Sequence, residues 1–192
     1  MNEITKQNFI DTARTGDLVL TRKYRWYKWF TTPIYGDTID RVFVLLRTNS
    51  GELLYIDVND EPSKNIYTIS SLIEKYNNGI YTELVYKQLG VLRTTQFTKD
   101  MNKSINDCIS TKLVSEETLK EKILKITGFE ETLPNNDSLS AIVVAYILKT
   151  IGLIKNVDYT TIHPGEFFDD IYMSFETNTT LNTYESSKKV VF

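Results

Sequence analysis

The stretch Asp137-Ser138-Leu139-Ser140-Ala141-Ile142-Val143-Val144-Ala145-Tyr146-Ile147-Leu148-Lys149-Thr150-Ile151-Gly152 predicts a helix over 139–151 that is apolar nearly all round. A helix without a polar face belongs inside its domain rather than on the surface. Asp137, Ser138 and Ser140 stand where such a helix needs capping side chains, and Gly152 supplies its stop. A central buried helix needs covering layers, and the sequence before it supplies strands.

Working back from the helix, residues 95–113 and 115–127 read as two amphipathic helices, the second opened by the capping pattern Ser115-Glu116-Glu117-Thr118. Before them the chain is rich in strands. Ile80 to Leu89 is a strand, preceded by a helix over Ser70 to Tyr76 with Ser70 or Ser71 as its cap and Asn77-Asn78-Gly79 as its end. Ile66-Tyr67 starts a short strand. Asp40 to Arg47 and Glu52 to Val58 flank the turn residues Asn49-Ser50-Gly51 and form a hairpin. Asn8 to Arg14 is a short helix, and Thr15-Gly16-Asp17 turns it into the apolar strand Leu18-Val19-Leu20. After the central helix, Ile162 to Phe175 has a packed character, followed by a Thr/Asn/Ser-rich tail ending in Lys188-Lys189-Val190-Val191-Phe192. The expected class is α+β, one domain over 1–175 with a small antiparallel sheet or partial barrel packed on helices. Residues 176–192 form a mobile or docking tail.

Bulk properties narrow the function. Of 192 residues, 41% are hydrophobic and 24% charged, the proportions of a globular chain long enough to bury a core. The net charge of −3 provides no basic field for phosphate backbones, which excludes nucleic acid as the expected partner. One local exception is Arg22, Lys23, Arg25 and Lys28 interleaved with Tyr24, Trp26, Tyr27 and Trp29. The simpler reading packs the aromatics inward with the cations solvated, and the other is a partner contact through Trp26, Trp29, Arg25 and Lys28. A single cysteine, Cys108, excludes an internal disulfide and suits a reducing, cytoplasmic compartment. No signal peptide or transmembrane segment is expected.

Four segments, in order, resemble the circularly permuted papain-like hydrolases, a superfamily with NlpC-like, lecithin retinol acyltransferase-like and poxviral members. Ala13 to Leu20 is similar to the family's opening "G-D-hydrophobic" strand, and Trp26, Trp29, Phe30 and Thr31 stand for its Trp-rich loop. Ile39 to Leu45 resembles the "S-H-V-G-I" strand, with Tyr55-Ile56-Asp57-Val58 as the acidic strand beside it. Ser138 to Leu148, continuing to Gly152-Leu153, resembles the helix that carries the nucleophile, and Ile162-His163-Pro164-Gly165-Glu166-Phe167 the turn that closes the fold.

The resemblance implies papain-like chemistry: a thiolate at a helix N-terminus, a histidine as base and a polar residue orienting that histidine. Carried across residue by residue, the nucleophile falls on Ser140, the histidine on Arg41 and the orienting acid on Asp57. An arginine keeps its proton and cannot act as a base, and a serine without a base is a poor nucleophile. Arg41 and Asp57, on neighbouring strands, can instead pair as a strut in the former active site. Ser140 has a capping reading that requires no chemistry.

Cys108 and His163, the only thiol and the only imidazole, do not make a dyad on this reading, since Cys108 lies inside a predicted helix and His163 in a turn on the far side of the family fold. No zinc set, phosphate loop or calcium loop is present, so no metal or cofactor is expected. The expected function is a non-catalytic pseudoenzyme acting as a protein-binding or assembly module. Composition and the family's range suggest a viral structural or accessory protein, with the virion as a possible location. The alternatives are a serine acyl hydrolase or amidase, with Ser140 as nucleophile, Arg41 as oxyanion partner and Asp57 or Asp40 as base, and a lipid- or peptide-binding protein without turnover.

Overall fold

In a computed structural model, residues 1–23, 39–57, 65–89, 99–100, 102–103, 125, 136–159, 161–169, 175–177 and 187–192 are described. They form nine strands and four helices, an α+β fold. In chain order these are β1 (Asn2–Thr5), α1 (Lys6–Thr12), β2 (Leu18–Lys23), β3 (Arg41–Arg47), β4 (Leu53–Ile56), β5 (Ile66–Thr68), α2 (Ile69–Asn77), β6 (Tyr81–Lys87), α3 (Asn136–Thr150), β7 (Ile154–Val157), α4 (Glu166–Asp169), β8 (Phe175–Thr177) and β9 (Lys188–Val191).

The main sheet has seven strands in the order β1-β9-β6-β2-β3-β4-β5, and β7 pairs with β8 in a separate ribbon. The sheet is larger than the small one expected and is not wholly antiparallel, because β1 runs parallel to β9. Residues 188–191, placed in a tail by the sequence reading, are the strand between β1 and β6. The helices expected over 95–113 and 115–127 fall almost wholly outside the described residues.

β3 explains why its sequence, Arg-Val-Phe-Val-Leu-Leu-Arg, is apolar without alternation. It lies between β2 and β4 and is covered on both faces, the arrangement that produces continuous hydrophobic runs. Val42, Val44 and Leu46 face α3 in a core shared with Leu18, Leu20, Val85, Ile142 and Leu148. Phe43 and Leu45 face the other way, into a core with Phe9 of α1, Leu72 of α2, Tyr55 and Tyr86. Side chains switch face at every residue, so the two cores interleave along one strand.

α3 runs from Asn136 rather than Leu139, which places Ser140 in its second turn, past the capping positions. The capping role expected for Ser140 is therefore corrected. At α2 the N-cap is Thr68, which makes no side-chain cap hydrogen bond, and Ser71 donates instead to the Thr68 carbonyl at 2.8 Å. The glycine signals hold: Gly79 and Gly152 follow their helices at φ 73° and 77°, the left-handed region where a Cβ is disfavoured.

Asp17 binds the turn after α1 to the sheet. Its fully buried carboxylate accepts from Arg14 N at 2.8 Å and the Tyr86 hydroxyl at 2.6 Å through one oxygen, and from Leu89 N at 2.8 Å through the other. Arg47, at the opposite end of β3 from Arg41, donates to carbonyls of Ile10, Ala13 and Gly51, closing the C-terminus of α1 with a cation. Removing the Asp17 carboxylate leaves two backbone N–H groups and a phenol buried without their acceptor. Asp17→Ala is expected to cost about 3 kcal/mol or more, and Asp17→Asn, which keeps part of the acceptor set, less, as read by urea denaturation of both variants against the parent chain.

Candidate functional site around Arg41, Asp57 and Ser140

The pairing expected of Arg41 and Asp57 is present. Arg41 leaves the start of β3, Asp57 follows the end of β4, and the guanidinium grips the carboxylate with two bonds, Nη2 to Oδ1 at 2.6 Å and Nη1 to Oδ2 at 3.2 Å. Both side chains are buried, with Asp57 wholly inaccessible. The guanidinium carbon lies 5.2 Å from the centroid of the Phe43 ring, and Arg41 also hydrogen-bonds the Tyr81 phenol. Phe43, Tyr55 and Tyr81 belong to the core on the α1/α2 side, so the ion pair is on that side too.

Ser140 lies across the sheet from it. α3 packs on the opposite face, where the Ser140 hydroxyl accepts from Val42 N at 3.2 Å. Along β3, Leu45 N donates toward β2, to Asp17 O, so alternation directs the Val42 N–H toward β4. β4 ends at Ile56, opposite Val44, and Ser140 takes up the ladder position beyond it. The structure thus brings Arg41 and Asp57 together and separates both from Ser140. The strut does not cover the serine.

Of the carboxylates considered as a base, Asp57 is engaged through both oxygens and Asp40 through one. Asp57 holds Arg41 with both oxygens, and Asp40 accepts from Lys23 N through Oδ2 at 2.6 Å. On the α3 side β3 offers Val42, Val44 and Leu46, none of which can carry a proton. His163 is largely exposed, with Nε2 3.6 Å from Oε1 of the buried Glu166. Cys108, Trp26, Trp29, Arg25 and Lys28 lie outside the described residues. Among those described, no three His, Cys, Asp or Glu side chains group as a metal site, and no helix is long and apolar enough to cross a membrane.

Sequence reasoning missed a polar seam inside the α1/α2 core. Tyr55 stacks on Tyr67 at 5.5 Å, and its hydroxyl receives Lys75 Nζ at 3.3 Å and lies 3.4 Å from the Ser71 hydroxyl. On the α3 side the buried Lys87 donates through Nζ to the Phe167 carbonyl at 2.9 Å and so ties β6 to α4. Period-2 reading could have placed Tyr55 inward, but no local signal marks a lysine as buried. A cleft of about 240 Å³ lined by Leu46, Leu54, Ile66, Thr48 and Asn102 has an apolar floor. It falls below the ~300–1,000 Å³ usual for ligand pockets. It also lies roughly 13 Å along β3 from the Val42 that bonds Ser140, taking four residues at about 3.3 Å each.

No protein-family model matches the chain, and no curated protein does. Among solved structures, it is similar to a chain titled "metalloprotein yiiX from Escherichia coli O157:H7, DUF1105", at 8% identity over 93% of this chain and 96% of that one, with a TM-score of 0.45. At that level the likeness carries no argument.

Two outcomes follow for the ion pair and its phenols. Removing one partner strands a buried charge, so Arg41→Met or Asp57→Leu alone is expected to cost about 3–5 kcal/mol, while the double variant recovers most of the loss in a denaturation cycle. Burial pushes the Tyr55 and Tyr81 phenols above their usual 10.0, against a smaller lowering by the Ser71 hydrogen bond at Tyr55 and by Arg41 at Tyr81. The fold therefore favours the neutral phenols. That contribution is whole below about pH 10 and is lost as pH rises toward the folded pKa values, so the melting temperature should fall above about pH 10, less steeply in Tyr55→Phe and Tyr81→Phe.

Proposed function

We propose that this chain is a catalytically silent relative of the permuted papain-like hydrolases, kept as a protein-binding or assembly module. The observation that carries the reading is the setting of Ser140. It is buried, its hydroxyl is committed to a backbone N–H, and the strand opposite presents only apolar side chains. A serine needs a base within hydrogen-bond reach to attack an acyl carbon, and of the two acids that could serve Asp57 is gripped by Arg41 on the other face of the sheet, while Asp40 accepts from Lys23 N through Oδ2.

The order of elements supports the fold assignment. A Gly-Asp turn leads into β2, β3 and β4 form the neighbouring hairpin, the apolar helix α3 packs on β3, and Ile162 and Phe167 of the closing turn join the same core. In this reading Ser140 has exchanged attack for strand capping, and Arg41 with Asp57 stiffens the sheet from its other face. The contact surface we assign to partners is Trp26 and Trp29 with Arg25 and Lys28.

A fluorophosphonate probe, which phosphonylates activated serines with loss of fluoride, is expected to leave the folded chain unlabelled. Ser140→Ala should fold with a loss of about 1–3 kcal/mol, the cost of leaving Val42 N without its acceptor. Stoichiometric labelling that disappears in Ser140→Ala would overturn the proposal and establish a serine hydrolase.

A further inference from the structure

We infer that β1 and β9 form one detachable strap, released together, whose opening uncovers β6 as a free sheet edge. The two strands come from opposite ends of the described chain and are held very differently from β2, β3 and β6. Among the described residues β1 pairs with β9 alone, over four residues from Asn2↔Lys188 to Thr5↔Val191. β9 pairs with β6 over two positions, Val85↔Lys189 and Tyr86↔Lys188, whereas β6 pairs with β2 over six. Any event that breaks the short β9–β6 ladder therefore carries β1 away with it.

Side-chain anchoring is sparse in the same place. Of the eight strap residues in these two strands, Val190 alone is buried, and Ile4 and Lys188 are partly so. Beyond the ladder, Phe192 stacks on Tyr76 of α2 at 4.2 Å, with Lys6 Nζ 6.0 Å from its ring, and Lys189 Nζ lies 4.0 Å from Glu83, whose other oxygen pairs with Arg22 at 2.5 Å. Phe192 and Lys189 are both exposed, and an ion pair at such a position is weakly held. α1 takes its N-cap from Thr5 of β1 but also has anchors outside the strap: Phe9 is fully buried and meets Tyr86 edge-on at 5.1 Å, and Arg47 holds the Ile10 and Ala13 carbonyls. The strap can leave without the helix. Segments with few buried apolar contacts open locally at free energies well below that of global unfolding, and a bared edge strand is a surface onto which another strand can be added.

Hydrogen exchange on the full chain tests this. Amides of 2–5 and 188–191 are expected to exchange at one common rate, about 100-fold or more faster than those of 42–46, with the amides of 84–86 that face β9 following the strap. Val190→Asp should abolish protection in both strap strands while 42–46 stays protected. Phe192→Ala, which leaves the buried contact intact, should speed both strands equally, and it provides the reading if Val190→Asp fails to fold. Protection of 2–5 that survives the loss of protection in 188–191, or exchange of both only at the rate of 42–46, would overturn the inference.

Discussion

A carboxylate taken wholly out of water must be repaid by donors, and the Asp17 side chain has three of them from three places: the turn after α1, the end of β6 at Tyr86, and Leu89, two residues beyond that strand. Leu45 N is bonded to the carbonyl of the same residue, so β3 is drawn into the arrangement as well. The junction fixes where α1 ends, where β2 begins and how β6 lies beside it. Everything on the α1/α2 face, including the packing of Phe9 against Tyr86, presupposes that geometry.

The sheet so fixed separates two kinds of chemistry. One face carries charge and aromatic rings together: Arg41 and Asp57, the Tyr55 and Tyr81 phenols, and Lys75 over Tyr55 and Tyr67. The other face is the mainly apolar bed of α3, where the Ser140 hydroxyl is met by the strand beneath it and the Lys87 ammonium by the Phe167 carbonyl. Nucleophilic catalysis needs a hydroxyl and a proton acceptor on one side of one strand. Here Asp57 is a sheet thickness from the Ser140 hydroxyl.

Much of this architecture could be read from the chain. Gly16-Asp17 before a short apolar run, the Asn49-Ser50-Gly51 turn between two apolar stretches, and the helix stops at Gly79 and Gly152 are local signals, and each appears where it was expected. The Arg41–Asp57 pair was also legible, because opposite charges on adjacent strands seek each other when buried. What could not be read was which face Arg41 would take. A strand has a period of two, so matching a family's motif one residue early or late moves a side chain to the far side of the sheet. Val42, not Arg41, is the residue beneath Ser140. The strand formed by 188–191 was obscured for a different reason: a four-residue strand with two lysines and one buried valine has no composition of its own, and it becomes a strand because β1 and β6 leave a place for it.

β3 has a further consequence for how such a chain can diverge. With one core on each side, it offers no position where a side chain meets only water, so a change anywhere between Val42 and Leu46 is felt by one packed layer or the other. The outermost strands β1 and β5 and the half-exposed β9 have the opposite character. Sequence drift in this fold therefore has to be carried by its margins while its centre keeps a hydrophobic alphabet. Two such proteins can lose all recognisable identity at their surfaces and still share a middle strand of the same few residue types, written in a different order.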